Sequence, residues 1–126
     1  MHQRSGILFV LATGLLQGCQ LLNIQPKLCT MEAVPALTVR VTDETGKSLL
    51  NRSTIRVQDG SYVDSLTVTD AALPAASLAY ERSGNYEVRV DRAGYQPWIQ
   101  KNVRVRKGEC HVQTIELEAK LEKLNE

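Results

Sequence analysis

From Leu37 onward the chain alternates apolar and polar residues with a period of two, the spacing at which a strand turns one face to a core and the other to water. Leu37, Val39 and Val41 alternate with Thr38, Arg40 and Thr42, and Ile55 and Val57 with Thr54, Arg56 and Gln58. In a third run, Tyr62 to Thr69, Leu66 and Val68 alternate with Thr67 and Thr69. Tyr86, Val88 and Val90 are set against Glu87, Arg89 and Asp91, and Trp98 to Arg106 places Val103 and Val105 against Arg104 and Arg106. The run Cys110 to Leu117 changes phase between Val112 and Ile115, which predicts a bulge or a frayed edge. Turn formers separate the runs: Asp43 to Lys47, Asp59-Gly60, Ser83-Gly84-Asn85, Ala93-Gly94-Tyr95 and Lys107-Gly108. Leu73-Pro74-Ala75-Ala76 breaks any central strand and leaves Ser77 to Glu81 as a short edge strand. Such spacing predicts an all-β fold, a small antiparallel β-sandwich of about seven strands.

Two stretches depart from this pattern. At the C-terminus, Leu117, Leu121 and Leu124 stand at helical spacing, with Glu116 and Lys120 as a supporting pair, in a segment too short for a stable isolated helix. At the other end, Ile7 to Leu16 is a ten-residue apolar run behind Arg4 and ahead of Gln17-Gly18-Cys19. About 20 apolar residues are needed to span a bilayer, so this arrangement reads as a secretory signal peptide instead.

The cleavage region Leu16-Gln17-Gly18-Cys19 resembles the lipobox of bacterial lipoproteins: an aliphatic residue, a tolerant position, a small residue and a Cys. The resemblance implies removal of residues 1–18, lipidation of Cys19 and a membrane partner reached through that anchor. Gln20 after the Cys, where Asp is absent, resembles the outer-membrane sorting case, with the domain facing the periplasm. An ordinary signal peptide with a coincidental Cys is the competing reading. The chain has three cysteines, and with Cys19 assigned to lipid, Cys29 and Cys110 form an even pair in a compartment where disulfides persist. Metal ligation by Cys110-His111 and a free thiol are the alternatives; His111 is the only His after the cleavage site.

One block carries a further resemblance. Asp43 to Lys47, Ile55-Arg56-Val57, Gly84-Asn85-Tyr86 through Val90, Ala93-Gly94-Tyr95 and Val103-Arg104-Val105 together are similar to the carboxypeptidase regulatory-like, transthyretin-like (prealbumin-like) domain. That family's module is the non-catalytic companion of its enzymes, so the resemblance implies no enzyme activity and no cofactor or metal. Residues 19–35 are then a lipidated Cys and linker, 36–117 the sandwich, and 118–126 a charged tail.

Composition adds little until it is divided. The 126 residues carry 15 basic and 14 acidic side chains, so net charge offers no reason to expect nucleic acid as a partner. Residues 82–107, however, hold seven basic against two acidic side chains. Arg89, Arg104 and Arg106 alternate with core valines and, with Trp98, are the candidate contacts for an envelope protein or an anionic glycan. A solvated face paired with neighbouring acids is the plainer reading. Asp59, Asp64 and Asp70 stand at turn or wet-face positions, where solubility and turn formation compete with acid–base or calcium chemistry. Two functions follow as expectations: a non-enzymatic, lipid-anchored structural or protein-interaction module, or a ligand-binding or enzyme-accessory module for a glycan or other anion.

Overall fold

The computed structural model describes residues 28–125. The expected signal peptide, Cys19 and most of the linker lie outside them. Seven strands form within this range: β1 (Leu37–Thr42), β2 (Thr54–Asp59), β3 (Tyr62–Thr67), β4 (Ala76–Leu78), β5 (Gly84–Asp91), β6 (Trp98–Val105) and β7 (Ile115–Lys120). They build two sheets, ordered β4-β1-β7 and β3-β2-β5-β6. The sheets face one another across a core to which Leu37, Val39 and Val41, Ile55 and Val57, and Tyr86, Val88 and Val90 all contribute buried side chains. The all-β sandwich anticipated from the period-two pattern is therefore present.

Local chemistry explains the turns. The Asp43 carboxylate accepts the backbone N–H groups of Thr45 and Lys47 and the Thr45 hydroxyl, folding the chain tightly after β1. The Thr45 hydroxyl bond is the main reason that the Asp43 carboxyl titrates below its usual range. Asp59 and Tyr62 pair across a two-residue turn at Gly60-Ser61, where Gly60 adopts a φ of 59°. At the start of β5, a Cβ on Gly84 would meet the ends of the Asp59 and Arg82 side chains, so glycine lets the Asp59–Arg82 ion pair lie directly over the backbone.

Three expectations need correction. The sandwich is not wholly antiparallel: β7 runs parallel to β1, from Leu37 opposite Ile115 to Thr42 opposite Lys120. The C-terminal leucines do not form a helical stripe. Residues up to Lys120 are strand, Ala119 and Leu121 are buried, and the Leu121 N–H donates to the Thr42 carbonyl at 2.8 Å. The edge of β1 hydrogen-bonds this segment along its length, which outweighs any helical tendency of so short a peptide. The β7 strand thus crosses the expected boundary between domain and tail at 117 and 118. Leu66 and Val68, expected on one core face, part company. Val68 is buried just beyond β3, whereas Leu66 on the sheet edge is 38% exposed. Facing inward does not bury a side chain where the opposing sheet has one strand fewer.

The phase change after Val112 marks a true break in strand structure. Lys107 and Val112 form an isolated bridge around a tight turn, and β7 begins only at Ile115. A disulfide joins Cys110 in this turn to Cys29, whose Cα lies 5.2 Å away.

Candidate functional site

The four candidate contact residues do not gather. Arg89 stands opposite Ile99 on β6, and Arg104 stands opposite Asn85 on β5. Four strand positions along β5 separate the two arginines by roughly 13 Å. Arg106 lies beyond the end of β6, and Trp98 lies at its other end, opposite Val90. Trp98 is half-buried and packs against the core beside a shallow groove of about 260 Å³ formed with Pro97 and Lys120.

Charge on this sheet is largely settled locally. Arg89 donates from Nε and Nη2 to the two Asp91 carboxylate oxygens at 2.7 and 2.9 Å, a fork that holds its guanidinium firmly charged. Arg56 is the direct neighbour of Arg89 across the β2–β5 ladder. Like charges opposite one another repel, and Arg56 instead turns along its own strand to Gln58, donating at 3.0 Å. Arg104 and Arg106 remain exposed. Asp59 accepts from Arg82 at 3.0 Å, and Asp64 accepts the Ala79 N–H at 2.9 Å, so both carboxylates hold structure together. Asp70 closes a turn on the Ala72 N–H. Among the described residues, no three His, Cys, Asp or Glu side chains gather as a metal-ligand set.

A polar cluster that sequence reasoning missed surrounds the disulfide. His111 Nδ1 lies 2.6 Å from Glu81 Oε1, and its Nε2 lies 2.9 Å from the Thr30 hydroxyl. The same Glu81 oxygen accepts the Val34 N–H at 2.8 Å, while the Glu81 N–H donates to the Val34 carbonyl at 2.8 Å. Three segments remote in sequence are thereby fastened together: the stretch from Cys29 to Val34, the loop after β4, and the turn before β7. Glu81 takes a φ of 54° and Ala79 a φ of 55°, left-handed values that non-glycine residues adopt only where surrounding contacts enforce them. Behind the clasp, the Tyr86 hydroxyl donates to the Arg82 carbonyl at 2.6 Å, and the Arg82 guanidinium lies 4.0 Å from the centre of the Tyr62 ring.

The clasp has a pH signature. The Val34 N–H, followed by the hydrogen bond and charge of His111, holds the Glu81 carboxyl below its ordinary value of 4.5. A carboxyl whose folded pKa is depressed contributes stability above the unfolded value and loses it as pH falls through the folded one. Acidification from about pH 5 to about pH 3 should therefore destabilise the wild type more than Glu81→Gln. Urea midpoints of the two chains at both pH values check this; an equal loss would show that the Glu81 charge contributes nothing.

No family model matches the chain, and no curated protein matches it. Fold and geometry define a two-sheet, all-β domain, closed at one pole by a disulfide and a carboxylate–imidazole–hydroxyl clasp.

Proposed function

We propose that this chain is a lipid-anchored, non-enzymatic cell-envelope protein, whose sandwich serves as a structural or protein-interaction module on the periplasmic side of the outer membrane. The observation that carries the reading is the Cys29–Cys110 disulfide. A bridge of this kind belongs to an oxidising compartment, and it leaves Cys19, at the lipobox-like position, as the third cysteine available for lipid. The carboxypeptidase regulatory-like assignment is supported by the same block that suggested it. Gly84 permits a close approach, Tyr86 is fully buried with its hydroxyl bonded, and Gly94 turns the chain at a φ of 85° before Tyr95 packs on the core. The dispersed arginines and the half-buried Trp98 favour this module over a preformed site for a glycan or anion.

Cys19→Ala should move the protein from the membrane fraction into the soluble periplasmic fraction, whereas the wild type stays with the membrane. Mass analysis that finds Cys19 of the membrane-bound wild type without lipid would refute the anchor. The order Thr30 hydroxyl, His111 imidazole, Glu81 carboxylate is also that of a nucleophile, a base and its orienting group, and it favours acyl transfer as the second reading. A fluorophosphonate probe separates the two. It leaves Thr30 unmodified in a clasp, and covalent labelling of Thr30 would overturn the non-enzymatic assignment.

A further inference from the structure

Eight large hydrophobic side chains are exposed among the described residues, and the two most exposed are Leu28 at 91% and Met31 at 103%. Both lie within two residues of Cys29, so the disulfide ties their segment to the turn carrying Cys110. Tyr80, 53% exposed, joins them at the same pole through its neighbour Glu81, which is bonded to His111. Basic residues with exposed side chains are there too. Arg104 lies opposite Asn85 near the pole end of β5, Arg106 accepts the Gln113 N–H through its backbone carbonyl, and Lys107 bridges to Val112. Glu32 and Glu109 are interspersed among these groups, so the attraction of the pole to a surface rests more on its apolar side chains than on net charge.

This pole is also where the chain leaves the domain toward Cys19. Nine residue steps separate Cys19 from Leu28. Their fully extended reach is about 30 Å, and any slack or coil shortens it. Trp98 marks the opposite pole, roughly 20 Å from Val105 along β6.

From this juxtaposition we infer that the disulfide pole is a bilayer-docking face, with Leu28, Met31 and Tyr80 entering the headgroup region and Arg104, Arg106 and Lys107 meeting lipid phosphates. Amphipathic surfaces combining apolar wedges with flanking bases bind the membrane interface in this way. The inference rests on the anchored reading above and adds an orientation to it. Under it, the clasp keeps the docking residues rigidly placed on the domain. The opposite pole, with Trp98 and the β5–β6 turn, points away from the lipid and is the end available to other envelope components.

The test places the anchored mature protein in vesicles of phosphatidylethanolamine and phosphatidylglycerol with brominated acyl chains, which quench nearby tryptophan. Two single-tryptophan chains are compared, the native one with Trp98 and Met31→Trp/Trp98→Phe. Emission from position 31 should be lost and that from Trp98 retained. Equal emission from the Met31→Trp chain in brominated and unbrominated vesicles would overturn the docking face while leaving the anchor intact. A second measurement works without lipidation, on a chain beginning at residue 19 and carrying Cys19→Ala. The buried core and the disulfide lie within residues 28–125, so this chain retains the folded domain. Its vesicle affinity should fall by roughly tenfold or more on adding Leu28→Asp/Met31→Asp. No difference between the two, or no binding by either, also counts against the inference. If mass analysis instead finds Cys19 unmodified while this difference persists, the anchor fails and the docking face stands. Photocrosslinking at position 31 that captures a protein in place of lipid would likewise sink it.

Discussion

A chain ending at Leu117 should show no cooperative unfolding transition. The deletion removes the second half of β7, and with it the pairings of Arg40, Val41 and Thr42 with Glu118, Ala119 and Lys120. It also removes Leu121, which is 1% exposed, and its hydrogen bond to Thr42. Beyond the strand, the Gln96 N–H donates to the Glu122 carbonyl and the Leu124 N–H to the Gly94 carbonyl, at 2.8 and 3.0 Å. These two bonds tie the β5–β6 turn of one sheet to the last strand of the other. Leu121→Ala alone should cost about 2–5 kcal/mol through lost burial and a residual cavity. Deleting the whole segment adds lost backbone bonds and an uncovered flank of β1, a total comparable with the roughly 5–15 kcal/mol by which domains of this kind are stable. Far-UV circular dichroism during urea titration checks both chains. A truncated protein that melts at the wild-type midpoint would show that the segment is an appendage after all.

The second large effect concerns the disulfide. Cys29 and Cys110 are 81 positions apart, and on the chain-entropy model closing a loop of that length removes about 4.5 kcal/mol worth of freedom from the unfolded chain. Cys29→Ser/Cys110→Ser should therefore lower the unfolding free energy by about 2–4.5 kcal/mol. The lower end applies if the stretch from Leu28 to Ala33 gains freedom in the folded state once untied. That stretch is exposed, and the Thr30–His111 bond and the Val34–Glu81 pair are among its other ties. The core should keep its packing while the unfolded chain, no longer cross-linked, expands, so the denaturant midpoint should fall and the slope should rise. An unchanged midpoint would mean that the bridge does no more than decorate an already closed pole.

Much of the architecture is legible in the sequence because it depends on short-range rules. Alternation of Leu37, Val39 and Val41, or of Tyr86, Val88 and Val90, decides which face of a strand is apolar wherever that strand lies. Asp59-Gly60 and the Asp43 turn act within four residues, so their chemistry can be seen without knowing the sheet. The tail is not legible in this way, because three leucines spaced for a helix look the same whether or not a strand edge waits for them. Nor is the exposure of Leu66, because its position at a sheet edge is a property of topology. For the candidate site, alternation correctly sets Arg89 and Arg104 on outward faces, but it carries no information about register. Register alone puts roughly 13 Å between them and brings Arg56 beside Arg89.

The clasp shows the same division most clearly. Pairing of Cys29 with Cys110 is available from cysteine arithmetic, and that bridge implies that His111 lies near Thr30. Nothing local marks Glu81 as their partner, 30 positions from His111. By itself the sequence determined most of the strands with their apolar faces and turns, and it singled out the cysteine pair, because each follows from dihedral preference, periodicity or counting. Only the tertiary structure decided the parallel docking of β7 on β1, the scattering of the arginines and the meeting of Thr30, His111 and Glu81. Those depend on which strands become neighbours and in what register, and that choice is made by the burial of the whole core.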